Sequence, residues 1–142
     1  MNSKTPKASV SNLLVQICKH RRNKSNVLLA EAGIHGGQDI LLYYLSLEDG
    51  QTISTLVTKM CIQHATISTM IDRMEANEMV RKEKDGADKR ISRVFLTDKG
   101  RDAYQHVANI WRVMEDTVTN EMTEEQQDSL RQLLEKVLIN LT

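Results

Sequence analysis

The chain lacks the features that define several broad classes of protein. It has two cysteines in 142 residues, Cys18 and Cys61, too few for the disulfide framework of a small secreted domain. It contains no run of about 18 apolar residues, so the sequence predicts no membrane-spanning helix. Residues 1–11 are polar and have no apolar centre, so we expect no signal peptide and, by default, a cytoplasmic location.

Residue groups that support catalysis or bind a cofactor are also missing from the sequence. The four histidines, at positions 20, 35, 64 and 106, have no paired spacing that would indicate a metal site. The Gly-rich segment 34–38 lacks the spacing and the following lysine of a phosphate-binding loop. No nucleophile–base pair is recognisable. We therefore expect a protein that is not an enzyme and that needs no cofactor.

Net charge is absent too, since 19 basic residues balance 19 acidic ones. The distribution along the chain is uneven: residues 1–101 contain 16 Lys and Arg against 11 Asp and Glu, and residues 102–142 contain 3 against 8. A balance of +5 followed by one of −5 indicates a binding surface that the total conceals. Because the basic part contains the motifs described next, we expect salt-dependent binding to phosphates of nucleic acid.

Residues 52–100 contain the motif around which the rest of the chain is arranged. Apolar residues at 53, 56, 57 and 60 predict a helix over Ile53–Met60, with Ser54 placed to cap its start. Apolar residues at 67, 70, 71 and 74 predict a second helix over about 64–76. Short hydrogen-bonding side chains and one arginine on its opposite face suit the reading of base edges in the major groove, although an ordinary solvated face has the same composition. These residues are His64, Ala65, Thr66, Ser68, Thr69, Asp72 and Arg73.

A β-hairpin is predicted directly after these two helices. Met79–Lys84 and Ile91–Leu96 alternate as strands do, and Asp-Gly at 85–86 marks the turn between them. Arg90 lies near the tip, from which an arginine can enter the minor groove of DNA, and Asp88 is placed to hold its guanidinium in a bidentate pair. The alternative is a solvated turn with an incidental ion pair. A helix–turn–helix followed by such a hairpin has the layout of a winged-helix DNA-binding unit.

A long helix is predicted before this unit, from Ser9 to about Ala32, with Gly33 as its stop signal. It contains the basic run 19–24, which is either a contact for phosphate or another anion or simply a solvated helix face. A short, mostly apolar helix over about 38–47 follows and is expected to be buried.

Two further helices are predicted after the hairpin. Thr97 is placed to cap the first, and residues 123–126 form a capping box at the start of the second. The last helix has a wide apolar stripe that is most economically buried against a second subunit, the alternative being the first helix of the same chain. The residues expected in the interface between subunits are Val10, Leu13, Leu14, Ile17, Leu130, Leu134, Leu138 and Leu141.

Motifs in the hairpin and in the second helix of the helix–turn–helix carry a family resemblance. Residues 85–90 have the pattern Asp-x-x-Asp-x-Arg, residues 96–100 have Leu-Thr-x-x-Gly, and residues 66–75 form the helix before them. Together they resemble the MarR family of bacterial regulators, and the order and length of the elements agree over nearly the whole chain. The resemblance implies a homodimeric winged helix that binds palindromic promoter DNA, usually as a repressor. It also implies that Arg90, supported by Asp88, contacts the minor groove and that the major groove is faced by Thr66, Ser68, Thr69 and Arg73.

Three places in the chain depart from patterns that are common at these helix ends. Cys61 stands in the turn of the helix–turn–helix and Asn77-Glu78 follows the second helix, and at both points the family often has glycine. Because asparagine tolerates a left-handed backbone, we expect Asn77 to end this helix. Gln63 would be the N-cap residue of the same helix, which is a poor choice for a cap.

The predicted fold is mainly α with a small β-hairpin wing: a winged helix–turn–helix whose N- and C-terminal helices form a homodimer interface. We expect residues 1–8 to be disordered and residues 9–142 to form a single MarR-like domain, with dimerisation helices over 9–33 and 101–142 and a DNA-binding lobe over 34–100. The residues expected to contact DNA are Ser54, Gln63, His64, Ala65, Thr66, Ser68, Thr69, Arg73, Lys84, Asp88, Lys89 and Arg90.

The predicted function is that of a sequence-specific DNA-binding transcription regulator, a repressor released by a small-molecule effector. By analogy with the family, the effector would bind where the dimerisation helices meet the DNA-binding lobe, near His20, Arg21, Tyr43 and Trp111. One alternative is a thiol-based redox sensor that uses Cys18, although a buried structural cysteine is the commoner case. Another is a protein-interaction module that kept the fold without binding DNA.

Overall fold

The computed structural model describes residues 8–142, and the disordered segment expected over residues 1–8 lies almost wholly outside this range. The mainly α fold with a small β wing is confirmed. In chain order the elements are α1 (Val10–Glu31), α2 (Gln38–Leu47), β1 (Gln51–Thr52), α3 (Ile53–Met60), α4 (His64–Ala76), β2 (Val80–Lys84), β3 (Ser92–Leu96), α5 (Asp98–Val118) and α6 (Glu124–Leu141).

The chain divides into two compact units, one ending at Ile110 and the other comprising Trp111–Thr142. The boundary falls inside α5, and the assignment of residues 9–142 to a single domain stays a prediction. Within residues 8–142, no helix combines the length and the apolar character that crossing a membrane requires.

The core of the first unit is built around α2, as its apolar sequence predicts. Leu41, Leu42 and Leu45 on this helix are fully buried. A helix that is apolar on most of its sides must be covered on most of its sides, and here helices and strands of the winged-helix unit contribute further buried residues. These are Leu56 on α3, Ile67, Ile71 and Met74 on α4, and Val94 on β3.

The three strands form one antiparallel sheet in the order β1-β3-β2. In the wing hairpin, β2 and β3 pair from Val80 opposite Leu96 to Lys84 opposite Ser92. The short strand β1 pairs with the other edge of β3, which ties the wing to the segment just before the helix–turn–helix. This register turns alternate side chains of β3 inward, because successive residues of a strand point to opposite faces.

Helix α1 ends where Gly33 stops it. Gly33 has φ +74, its N–H donates to the carbonyl of Ala30, and the N–H of Ile34 donates to the carbonyl of Leu29. This pair of hydrogen bonds is the Schellman arrangement, which satisfies carbonyls that the end of a helix leaves free. The buried side chain of Ile34 then packs back on the protein, as expected from the sequence.

Two details of helix capping differ from the sequence-based predictions. Thr52, not Ser54, caps α3, because its hydroxyl accepts the N–H of Thr55 at 3.1 Å while Ser54 already lies in the first turn. The left-handed residue after α4 is Glu78 (φ 62), not Asn77 (φ −85). The left-handed backbone conformation that favours glycine therefore lies one residue later than expected, at Glu78.

The second unit has one capping feature that the sequence predicted. The Thr123 hydroxyl accepts the N–H of Gln126, and the Gln126 side chain accepts the N–H of Thr123, so the capping box at the start of α6 is confirmed. No residue of α6 is fully buried in a single chain.

Candidate nucleic-acid interface

Helix α4 has one buried face and one exposed face, as a recognition helix must. Ile67, Ile71 and Met74 hold it against the core with no exposed surface. Because these anchors recur at three- and four-residue spacing, the intervening side chains point outward. His64, Ala65, Thr66, Thr69 and Arg73 are exposed and Ser68 is half-buried.

Some polar groups on this face are pre-oriented by hydrogen bonds within the helix. The Ser68 hydroxyl lies 3.3 Å from Nδ1 of His64, and the Thr69 hydroxyl donates to the carbonyl of Ala65 at 3.0 Å. A hydroxyl that donates inward keeps its oxygen lone pairs for an outside donor. Gln63 makes no capping hydrogen bond with its side chain, as its poor capping propensity predicts, and Ser54 is exposed on α3.

The turn before α4 contains a backbone conformation that glycine usually occupies. Cys61 has φ 52 and ψ 39, and its side chain is exposed. A left-handed residue is what allows α3 to stop and α4 to begin three residues later, so the cysteine occupies a geometry that glycine adopts at lower steric cost.

The predicted ion pair at the wing tip is present. Nε and Nη2 of Arg90 each donate to one oxygen of Asp88 at 3.0 Å, and the backbone N–H of Arg90 donates to the same carboxylate. The Arg90 side chain is nevertheless 90% exposed. A guanidinium has five N–H donors, so this pair leaves Nη1 and one N–H of Nη2 directed away from Asp88.

The carboxylates of the wing are stabilised in their charged form. A hydrogen bond from Arg93 is the main reason that the pKa of Asp85 is lowered, with help from the N–H groups of Asp88 and Ala87. The hydrogen bond from Arg90 lowers the pKa of Asp88 in the same way. Reciprocally, Asp88 raises the pKa of Arg90. The wing therefore keeps its ion pairs across the neutral range.

The base of the wing is attached to α4 by contacts that sequence reasoning missed. The backbone N–H of Lys82 donates to Glu75 at 3.1 Å, and its ammonium lies 2.8 Å from Asp72. The hydrogen bond with Asp72 is the main reason that the pKa of Lys82 is raised. Asp72 and Glu75 recur at helical spacing on one side of α4, which is the only sequence signal that points to this attachment.

Two lysines that the sequence predicts to contact DNA lie on the wing and have no carboxylate partner among the described residues. Lys84 ends β2 and Lys89 lies in the tip, and both side chains are exposed. Lys84 and Lys89 therefore add positive charge to the wing that no described carboxylate neutralises, while Arg90 is paired with Asp88.

The four residues predicted to bind an effector lie on three helices, α1, α2 and α5. His20 and Arg21 are exposed on α1, Tyr43 is half-buried on α2, and Trp111 is half-buried in the second unit. A cavity of about 500 Å³ in the first unit is lined by Arg21 but not by the other three. Its walls also include Arg22, Ser25, Asn26 and Asp39.

The predicted interface residues expose much apolar surface in a single chain. On α1, Val10, Leu13 and Ile17 are exposed and Leu14 is half-buried. On α6, Leu134, Leu138 and Leu141 are exposed and Leu130 is half-buried. In a single chain Cys18 is exposed as well, unlike the buried structural cysteine considered from the sequence.

Comparison with known proteins points to one family. A model of the MarR family matches residues 40–92, from α2 to the first residue of β3. The uncharacterized HTH-type transcriptional regulator YsmB of Bacillus subtilis is 32% identical over 100 residues, which are 70% of this chain and 68% of that protein. The HTH-type transcriptional regulator TtmR of Methylorubrum extorquens is 32% identical over 74 residues, which are 52% of this chain and 38% of that protein.

The fold is also that of a solved structure bound to DNA. The crystal structure of the S. aureus MepR–DNA complex superposes with a TM-score of 0.84 at 22% identity, covering 96% of this chain and all of that one. The winged helix–turn–helix predicted from the sequence is therefore confirmed as the fold of this chain.

Proposed function

This chain belongs to the MarR family of transcriptional regulators, and from that premise we propose that it binds palindromic double-stranded DNA as a homodimer. In this proposal it represses transcription, is released by a small-molecule effector, and acts in the cytoplasm. It is a regulator and not an enzyme. MepR, whose fold this chain shares, has been crystallised with DNA.

The observation that carries the proposal is that the Arg90 side chain is both held by hydrogen bonds and exposed. Its guanidinium is held by two hydrogen bonds to Asp88 and is still 90% exposed. A side chain that served only to stabilise the wing would gain little from such a pair, because exposed ion pairs are weak. An arginine held in one pose at a narrow tip is instead suited to the negative potential of a minor groove.

In the proposed complex, α4 lies in the major groove. Thr66, Thr69 and Arg73 face the base edges, and Gln63, His64, Ala65 and Ser68 line the same side of the helix. Ser54, Lys84 and Lys89 contact phosphates around them. Two subunits bind half-sites about 34–36 Å apart, one turn of the DNA helix.

The homodimer is supported by the apolar side chains that α1 and α6 leave exposed. Leu138 is 62% exposed and Leu141 78% exposed, on a helix of which no residue is fully buried in a single chain. Covering these stripes with a second copy removes apolar surface from water at about 25 cal/mol per Å². Palindromic DNA then matches the two-fold symmetry of the protein.

The proposed effector acts by favouring one spacing of the two wings over another, since a ligand can shift an equilibrium only through its different affinities for the two states. Arg21 is the effector residue with the best support, because it lines the cavity of about 500 Å³ beside α1. An Arg21→Ala protein that responds normally to every inducer would remove this residue from the proposal.

The test is fluorescence anisotropy with duplex DNA from upstream of the gene that encodes this chain. We expect binding that resists a scrambled competitor, weakens as salt is raised, and falls about tenfold in Arg90→Ala. The matched control is Arg131→Ala, which also removes an exposed arginine paired with an aspartate, at 2.9 Å, but on α6. Equal binding to scrambled DNA would argue for the fold-retaining interaction module instead.

A redox-sensing version of the same function is favoured by one observation, the exposure of Cys18 beside Lys19, Arg21 and Arg22. Exposure and neighbouring cations are what a reactive cysteine needs. In that case peroxide lowers the DNA affinity of the wild-type protein and leaves Cys18→Ser unaffected. A Cys18→Ser protein that still responds to peroxide rules it out.

A further inference from the structure

Arg93 connects the wing to the body of the winged-helix unit. From β3, its Nε donates to Oδ1 of Asp85 at 2.6 Å and its Nη1 donates to the carbonyl of Gly50 at 2.9 Å. Gly50 immediately precedes β1, and its own N–H donates to Val94. A single guanidinium thus joins the first residue of the wing turn to the edge of the three-stranded sheet at Gly50, which lies 43 residues before Arg93 in the chain.

Asp85 links Arg93 to the tip of the wing. Its second oxygen accepts the N–H groups of Ala87 and Asp88 at 3.1 and 3.0 Å. Those hydrogen bonds set the backbone from which the Asp88 carboxylate reaches Arg90. The contacts therefore form an unbroken series: Gly50, Arg93, Asp85, Asp88 and Arg90.

Exposure rises from Asp85 towards the tip. The side chains of Asp85, Asp88 and Arg90 are 15%, 35% and 90% exposed, and that of Arg93 is 42% exposed. The Asp85 carboxylate is the group of this series most sheltered from water, where hydrogen bonds to charged groups are stronger, and Arg90 is free to meet a partner. The exposed Asp88–Arg90 pair would hold one geometry poorly by itself, because exposed ion pairs are weak.

We propose that Arg93 and Asp85 are positioning residues that fix the direction of the Arg90 guanidinium, and that they act on DNA binding only through Arg90. The inference rests on the proposed function, in which Arg90 contacts the minor groove. Arg93 contributes through the geometry of its guanidinium and not through its charge, because its Nε and Nη1 donors must reach acceptors on two different segments, Asp85 and Gly50, at the same time.

The experiment is a double-mutant cycle for DNA affinity with Arg93→Gln and Arg90→Ala. We expect each single substitution to weaken binding, Arg90→Ala by about tenfold and Arg93→Gln by about fivefold. The double variant should bind as Arg90→Ala does, because nothing remains for Arg93 to position. Effects that multiply in the double variant would mean that Arg93 acts independently, and the proposal would be overturned.

Three variants separate positioning from charge and from misfolding. Arg93→Lys keeps the charge and loses the fork, so it should bind as weakly as Arg93→Gln; recovery of affinity with lysine would overturn the proposal. Asp85→Asn should behave as Arg93→Gln does. Arg81→Gln is the matched control, since Arg81 contacts Glu83 and the ring of Phe95 on the same hairpin without touching Asp85.

Hydroxyl-radical footprinting adds a readout that a general loss of stability would not change. Arg93→Gln and Arg90→Ala should lose the same minor-groove protections and keep those around the recognition helix. A uniform loss of all protections in Arg93→Gln would mean that the fold itself has failed, which contradicts a positioning role.

A measurement without DNA distinguishes this inference from the proposed function. The NMR order parameter of the Arg90 Nε–H bond should fall in Arg93→Gln and stay unchanged in Arg81→Gln. If it falls while no variant or wild type binds DNA specifically, the positioning series stands and the proposed function fails. If it does not change, the series is disproved whatever the DNA affinity.

Discussion

Gly100 and Met79 approach each other so closely that a Cβ atom on residue 100 would overlap the carbonyl oxygen of Met79. The same carbonyl accepts the N–H of Thr97, whose hydroxyl accepts the N–H of Gly100 at 3.0 Å and so caps α5 as predicted. The Leu-Thr-x-x-Gly motif is thus the joint between the wing and α5, and its glycine is required by backbone packing.

The first prediction follows from this joint. Gly100→Ala should lower the free energy of unfolding by about 2 kcal/mol or more, because the overlap is with backbone and cannot be relieved by a rotamer change. In an unobstructed helix the same substitution would stabilise by about 0.5–1 kcal/mol. Urea denaturation at fixed protein concentration gives the value.

Gly86 provides the matched control for this measurement. An added Cβ at Gly86 meets nothing within 4 Å, so Gly86→Ala should leave the stability nearly unchanged. Wild-type stability in Gly100→Ala would contradict the close approach to Met79.

The second prediction concerns the left-handed residue in the turn between α3 and α4. Cys61→Gly should raise the free energy of unfolding by up to about 1 kcal/mol, because glycine adopts φ 52 without the steric cost of a Cβ. Cys18→Gly should act in the opposite direction, since Cys18 lies inside α1 and glycine weakens a helix interior. Thermal unfolding of both variants is the measurement, and a loss of stability in Cys61→Gly would be the contrary result.

The third prediction tests the proposed dimer. Leu138→Asp should weaken subunit association by about 100-fold or more, since two-fold symmetry doubles the loss of roughly 1.5–3 kcal/mol for one buried leucine. Leu47→Asp is the control, because Leu47 is 65% exposed and lies on α2, outside the predicted interface. Sedimentation equilibrium gives the association constant. Equal effects of the two substitutions would argue against α6 as the interface.

The fourth prediction concerns the titration of the wing. The pKa of Asp85 is below its ordinary value of 3.8, with the hydrogen bond from Arg93 as the main cause. A depressed pKa contributes stability at pH values above the ordinary pKa, and this contribution is lost as pH falls through the lowered one. The wing should therefore stay ordered from pH 8 to about 5 and loosen only in stronger acid.

Carbon-13 NMR of the carboxyl groups measures this titration directly. In Arg93→Gln the midpoint of Asp85 should move up towards its ordinary value, while the Asp88 midpoint, which depends mainly on Arg90, should move up less. An Asp85 midpoint that does not move would show that Arg93 is not the main cause of the shift.

Much of the fold follows from relationships between residues close in the chain. The spacing of Ile67, Ile71 and Met74 determined which face of α4 is buried, and Thr123 with Gln126 determined where α6 begins. Asp88 and Arg90, two residues apart, determined the ion pair at the wing tip. Helix periodicity, capping and turn chemistry act within about four residues, so the sequence is sufficient to reveal them.

The tertiary structure alone decided how these pieces are held together. Arg93 reaches Gly50 across 43 residues, and the N–H of Leu96 reaches the carboxylate of Asp49 across 47. Both contacts depend on the register of β1 against β3, which brings two distant segments side by side. No local propensity specifies such a partner, because it is chosen by which strands pair and how the core packs beneath them.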